Sequence, residues 1–250
     1  MSRIIKAFAN KAKVAYLTAG DGENSEQYFI ALAKGGANVL EVGIPFSDPT
    51  ADGLIIQKAM ERSLKAGTDV KKVLEIIKQI RLNTEAAIIV FTYFNPIRSN
   101  LEYFLAQAKQ SGADGVLVVD LPFEESSELR FLCAKYDLAN ISVTAPSTPL
   151  SRIKLIANNS SGFLYYACRK GTTGLRDELP LDLIERITEV RKYSSLPVAI
   201  GFGVSNNQMV QRIFKIADGC VVGSYFVDAV SKQVPLAQLE LMAANIFNYD

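Results

Sequence analysis

Residues 38–59 read NVLEVGIPFSDPTADGLIIQKA. The run opens apolar, with Val39, Leu40, Val42 and Ile44, and holds one carboxylate, Glu41, inside it. Pro45 and Pro49 end regular pairing, because neither has an N–H to give a neighbouring strand. A second carboxylate, Asp52, follows on the loop before Gly53, and a helical segment begins near Leu54. An acid inside a buried strand costs several kcal/mol unless it is paired or protonated. A second acid on the loop at that strand's C-terminal end stands where barrel enzymes place their chemistry. Glu41 and Asp52 are read as an acid/base pair working on one substrate. The competing reading makes Glu41 a satisfied structural carboxylate and Asp52 a helix cap.

The same alternation extends in both directions. Apolar runs predict strands at 14–17, 39–42, 87–92, 116–119, 141–143, 163–167, 198–200 and 219–222. Helical periodicity occupies 25–34, 55–65, 70–80, 101–110, 125–136, 150–157, 181–192, 206–215 and 235–247. Ser25 is the expected N-cap of the first of these, Glu124 or Ser126 caps the segment at 125–136, and 93–100 is expected as a loop carrying Asn95-Pro96. Strand-then-helix units joined by crossovers of helical length imply parallel strands. Eight of them in a chain of 250 residues predict a closed (β/α)8 TIM barrel, an α/β fold forming a single domain over 1–250. An open doubly wound sheet is the runner-up. Its glycine-rich turn is missing after the first strand, where Thr18-Ala19-Gly20-Asp21-Gly22 lacks the spacing.

Composition narrows the function. Twenty-seven basic and 26 acidic residues leave a net charge of +1, with no basic stripe for nucleic acid. No histidine is present, which excludes Ser-His-Asp and Cys-His triads and every His-ligated metal site. Proton transfer then falls to carboxylate, Tyr, Lys or Cys. Cys133, Cys168 and Cys220 are odd in number and far apart, which fits a reducing compartment and small buried apolar roles. Arg3, Lys6, Lys11 and Lys13 interrupt the N-terminal apolar residues, so neither a signal peptide nor a membrane span is expected there, and a cytoplasmic location is.

The loops after the late strands read Gly201-Phe202-Gly203 and Gly223-Ser224. Glycines there let backbone amides approach an anion, and a helix starting after Gly223 would point its positive end inward. A phosphate cup is expected, with Lys170-Gly171-Thr172-Thr173-Gly174 as a third wall. The loop over 168–179 is long for a strand-to-helix connection and is read as a lid, mobile without ligand. Tyr93 and Tyr165, near strand ends, are candidates to line a flat aromatic pocket. Asp120 is read as a turn residue before Pro122.

The opening stretch resembles the signature of the tryptophan synthase alpha subunit, E-x-G-x-P-F-S-D-P-x-A-D-G, carried here by Glu41, Gly43, Pro45-Phe46-Ser47-Asp48-Pro49 and Ala51-Asp52-Gly53. The likeness continues through Tyr93-Phe94-Asn95-Pro96, Val119-Asp120-Leu121-Pro122 and the glycine loops. It implies retro-aldol cleavage of indole glycerol phosphate to indole and glyceraldehyde 3-phosphate. It implies no metal or cofactor in this subunit, and a pyridoxal-phosphate beta subunit that receives the indole in an α2β2 complex. By motif, Glu41 is implied as general acid/base and Asp52 as the partner of the indole N–H. Tyr165 is implied near the reacting carbons and Thr173 as the lid threonine. Gly174, Gly203, Gly223 and Ser224 are implied as phosphate binders, with Tyr93 and Phe202 beside the substrate. Asp52, on a loop, is expected to be more exposed than Glu41 and to stay ionised.

The chain departs from the family pattern at Thr50 and Leu54, where leucine and proline are usual, at Gly22, and at Cys168 and Thr172, where serine and valine are usual. These departures keep an alternative open: a regulatory subunit that binds phosphate ligand and activates the beta partner but cleaves slowly or not at all. Another phosphate-binding barrel, an epimerase or isomerase, is a third reading, weakened by the missing histidine.

Overall fold

A computed structural model describes residues 2–167, 182–201 and 203–249. Its strands are β1 (Ala12–Thr18), β2 (Val39–Gly43), β3 (Ala87–Thr92), β4 (Gly115–Val118), β5 (Ala139–Thr144), β6 (Leu164–Ala167), β7 (Val198–Gly201) and β8 (Gly219–Val222). All pair in parallel and in chain order, and β8 returns to pair with β1, so the sheet closes. The open-sheet alternative is excluded. Between and around the strands lie α1 (Arg3–Ala9), α2 (Ser25–Lys34), α3 (Leu54–Lys65), α4 (Val70–Arg81), α5 (Asn95–Arg98), α6 (Leu101–Gln110), α7 (Ser127–Lys135), α8 (Leu150–Asn158), α9 (Leu183–Tyr193), α10 (Asn207–Ile216), α11 (Ser224–Ser231) and α12 (Leu236–Ile246).

Register decides which side chains meet. Tyr16 pairs with Glu41, and Glu41 with Ile89, so the three stand at one level across β1, β2 and β3. Successive residues of a strand face opposite sides. Glu41 therefore points into the barrel, while Leu40 and Val42 face the helices and are fully buried. Each such aliphatic side chain stabilises the fold by about 1.5–3 kcal/mol. A strand of this kind has apolar neighbours on both faces, which is why an acid within it is costly.

At the N-terminal rim, four residues that precede even-numbered strands accept from the first or second N–H of the odd-numbered ones. Asn38 accepts from Lys13 N at 2.7 Å, Asp114 from Ile88 N at 2.9 Å, Ser161 from Asn140 N at 2.9 Å and Asp218 from Val198 N at 2.9 Å. Asp114 also binds Arg81 and Arg3. This rim is spent on stability, and the opposite rim is left for chemistry.

Several local expectations are corrected. Ser25 is not an N-cap but the first residue of α2, and its Oγ accepts from Gly20 N at 2.9 Å; Asn24 precedes it in a left-handed conformation. Asn95-Pro96 does not sit in a plain loop but opens α5, where proline fits the first turn. Residues 125–136 divide into a 3-10 turn, Phe123–Glu125, and α7. The basic N-terminal segment forms α1, whose Ile4 is buried near Gly162, just before β6.

Leu54 is the first residue of α3 and is 72% exposed, and Gly53 before it is extended at φ −83°, ψ 170°. An extended residue ahead and an N–H with no intrahelical partner are what proline requires. Leu54→Pro is expected to stabilise the isolated chain by about 0.4–1 kcal/mol through the unfolded state. A urea midpoint that fell instead would show that α3 does not start here.

Candidate active site

Glu41 sits at the middle of β2 and is 1% exposed. Its Oε1 has no hydrogen-bond partner among the described residues. Burial alone pushes its carboxyl up to about 8 from the ordinary 4.5. The reading of Glu41 as a satisfied structural carboxylate therefore fails. An acid held neutral in an apolar strand retains a proton to give at physiological pH.

Asp52 follows the two prolines, on the loop that ends β2. Its expected exposure is wrong: it is 1% exposed, as deeply buried as Glu41. Tyr93 explains this. Its Oη donates to Asp52 Oδ2 at 2.7 Å and accepts from Ala51 N at 3.0 Å, so one phenol holds both the carboxylate and the loop beneath it. Gln57, one turn into α3, donates to the Asp52 carbonyl at 2.7 Å. Asp52 is not the helix cap either, since Gly53 occupies that position. Burial, then the Asp52 charge, pushes the Tyr93 hydroxyl far above its ordinary value, so it stays a donor. Tyr93 does not line the cavity described below. It stands behind Asp52 and packs on Phe46, with ring centroids 5.2 Å apart.

One cavity at the C-terminal end of the barrel is lined by Glu41 and Asp52 together with Tyr165, Gly203, Gly223 and Ser224. Residues from β2, its loop, β6 and the ends of β7 and β8 thus converge, although they lie up to the far end of the chain from one another. Ser224 is buried and begins α11, whose first N–H groups lack intrahelical partners and face the cavity end of the helix. Of the remaining expected site residues, Thr173, Gly174 and Phe202 lie outside the described residues, as do Cys168 and the expected lid over 168–179.

Tyr16 is the residue that sequence reasoning missed. It lines the same cavity from β1, paired with Glu41, and burial followed by the Asp52 charge raises its hydroxyl well above the ordinary value. The room for both cavity tyrosines comes from strand glycines. A Cβ on Gly43 would lie 2.4 Å from Tyr16 Oη, and one on Gly201 would lie 2.1 Å from Tyr165 Oη. Both glycines are visible in the sequence, and their spacing against a tyrosine one strand away was the available signal.

Asp120 is more than a turn residue: its Oδ1 accepts from Phe94 N at 2.7 Å and joins the β4 loop to the β3 loop. Cys133 and Cys220 are buried and without a disulfide, and burial pushes the Cys133 thiol up to about 12. Among the described residues no three His, Cys, Asp or Glu side chains are placed to hold a metal ion. No helix there is long and apolar enough to cross a membrane. The arrangement can deliver a proton from a neutral acid, set a second carboxylate against a polar N–H, and face an anion with glycine amides.

A family model for the tryptophan synthase alpha chain matches residues 3–248. The tryptophan synthase alpha chain of Coxiella burnetii is 44% identical over 249 residues, covering 98% of this chain and 97% of that one. The Chlamydia felis alpha chain is 40% identical over 253 residues, covering 98% of each. Among solved structures, a chain of Mycobacterium tuberculosis tryptophan synthase superposes with a TM-score of 0.90 at 29% identity, covering 98% of this chain and 97% of that one. A chain of the tryptophan synthase complex from Pyrococcus furiosus does so with a TM-score of 0.86 at 34% identity, covering 94% and 97%.

Proposed function

The chain belongs to the tryptophan synthase alpha chain family, a family of lyases, and from that premise we propose that Glu41 and Asp52 carry the retro-aldol cleavage of indole glycerol phosphate. The observation that supports this most is the convergence of both acids, Tyr165, Gly203, Gly223 and Ser224 on one cavity.

In this reading the neutral Glu41 protonates C3 of the indole ring. The ring becomes an indolenine cation, and Asp52 accepts its N–H and offsets the charge in a site with little water. The Glu41 carboxylate then takes the proton of the adjacent side-chain hydroxyl. The carbon–carbon bond breaks, its electron pair restores the indole, and the former carbinol carbon leaves as the aldehyde of glyceraldehyde 3-phosphate. Glu41 ends protonated, as it began, so one carboxyl serves as acid and then base. Tyr165 stands beside the reacting carbons. Gly203, Gly223 and Ser224 bind the phosphate, with Thr173, Gly174 and Phe202 completing the site.

The subunit works without a cofactor and hands indole to a pyridoxal-phosphate beta subunit, in an α2β2 assembly in the cytoplasm, with residues 1–250 as one domain. The loop at 45–59 and the turn near Asn95 face that partner. The support for the first of these is an apolar recess of about 520 Å³ between Phe46, Pro49, Leu54 and Leu64, with Leu54 left 72% exposed. No observation favours the reading of a binding-only activator.

Indole release from indole glycerol phosphate, with and without the beta subunit, tests the assignment. Ser224→Asp is expected to raise KM roughly tenfold to a hundredfold with a smaller change in kcat, because a carboxylate would face the phosphate. An acid in the first turn of α11 is compatible with the helix, so the fold is retained. An unchanged KM would remove Ser224 from the phosphate site.

A further inference from the structure

Outside the barrel, between α7 and α8, lies a second cavity of about 320 Å³. That size is at the lower end of small-molecule sites, roughly 300–1,000 Å³. Its floor is the outer face of β5. Val143 pairs with Tyr165, which faces the reaction cavity, so alternation turns Asn140, Ser142 and Thr144 toward the helices. On β2 and β3 the corresponding face carries Leu40, Val42, Ile88 and Val90 and is fully buried. A polar outer face on β5 alone of these three strands leaves a space where helix packing would otherwise fill it.

Asn140 is the group that makes this space a site. It is 7% exposed, its main chain exchanges hydrogen bonds with Ser161, and its carboxamide has no hydrogen bond to any described residue. Its amide atoms stay accessible from the cleft, so a ligand there can reach both. Ser160 Oγ gives its one proton to the Ile156 carbonyl at 2.8 Å, so Ser142 Oγ donates to Ser160 Oγ at 2.7 Å and keeps a lone pair to accept from the cleft. Leu121, Leu129 and Ile156 supply apolar walls. The cations neighbouring the rim are engaged: Arg152 is held by Glu124 through two hydrogen bonds, at 2.5 and 2.8 Å, Arg130 donates to Phe123 O and Ser126 Oγ, and Arg186 donates to Thr148 O. Asp120, also at the rim, adds a negative charge.

We propose that this cleft binds a small uncharged molecule that presents a carboxamide or lactam edge on an apolar ring. The adjacent N–H and C=O of such an edge match the Asn140 carboxamide in two antiparallel hydrogen bonds, and Ser142 Oγ accepts a third from the second N–H of a primary carboxamide. The ring lies between Leu121, Leu129 and Ile156. An anion is disfavoured because the neighbouring guanidiniums are already engaged and an acid stands at the mouth.

Benzamide is the probe, with benzoate and toluene as controls, titrated into the full chain and followed by backbone and side-chain amide resonances. The expected result is benzamide binding with shifts confined to 139–145 and 126–130. Both controls should bind at least about tenfold more weakly, since a site built to hydrogen-bond rejects an analogue that lacks the group. Asn140→Leu, which restores the side chain type found on the outer face of β2, should weaken benzamide at least about tenfold and leave toluene unchanged. Ser142→Ala, a smaller change on the same face, should weaken benzamide in the same direction and serves if Asn140→Leu does not fold. Equal binding of all three probes, equal binding to both variants and the parent chain, or shifts centred on Gly203 and Gly223 would each overturn the proposal.

Discussion

Glu41→Gln is expected to lower indole release by roughly 10²–10⁴-fold, the range that a positioned general acid or base supplies. Glutamine keeps the size and the buried position but has no proton to exchange, so substrate binding is retained while chemistry stops. The same substitution carries a second signature in stability. The Glu41 carboxyl is raised from 4.5 to about 8 on folding. Between those values the folded chain holds a proton that the unfolded chain has lost. The stability this contributes is fully present below about 4.5 and is lost as pH rises through about 8, at about 1.4 kcal/mol per pH unit. The parent chain should therefore lose stability between pH 5 and pH 8 relative to Glu41→Gln, whatever their difference at pH 5. Urea unfolding at several pH values reads that slope, and kcat/KM of the parent should fall as pH passes about 8. Parallel stability curves would show that Glu41 is not held neutral in the barrel, and an unchanged rate of indole release would remove it from the chemistry.

The barrel was legible because alternation of apolar runs and helical periods survives without tertiary information. Even the eighth strand, Gly219–Val222, is marked by composition alone. Glu41 was legible for the opposite reason, as a violation of its local pattern. What escaped depends on residues far apart in sequence. Asp52 sits on a loop, and loops are ordinarily exposed. Tyr93, 41 residues later, holds its carboxylate in the interior, and no local rule couples the two. Tyr16 lies in an apolar run, where a tyrosine reads as core, and its hydroxyl gains a purpose only when β1 is laid beside β2. Strand β5 was read short, at 141–143, because Asn140, Ser142 and Thr144 dilute its apolar signal. Those same polar positions floor the cleft between α7 and α8, so the weak strand signal marked a feature.

Asp52→Asn is expected to lower kcat by roughly 10²–10³-fold, as removal of a group that stabilises transition-state charge does. Tyr93→Phe is expected to lower it by up to roughly a hundredfold without any contact between Tyr93 and substrate, since a shift of about 1 Å in a reacting group has that effect. The phenylalanine ring still fills the space against Phe46, but Asp52 Oδ2 loses its donor and Ala51 N its acceptor. If Tyr93 acts only by holding Asp52, the two losses share one cause and cannot multiply: the double variant should be about as slow as Asp52→Asn alone. KM should move less than kcat in each, because in the proposed binding mode the phosphate is held at the far side of the cavity, at the ends of β7 and β8. Losses that multiplied in the double variant would mean Tyr93 contributes to the reaction by its own route. A Tyr93→Phe rate equal to the parent would mean the prolines and Gln57 fix the loop unaided. Distinguishing these decides whether the aspartate's placement resides in the loop that bears it or in the neighbouring strand that holds it from behind.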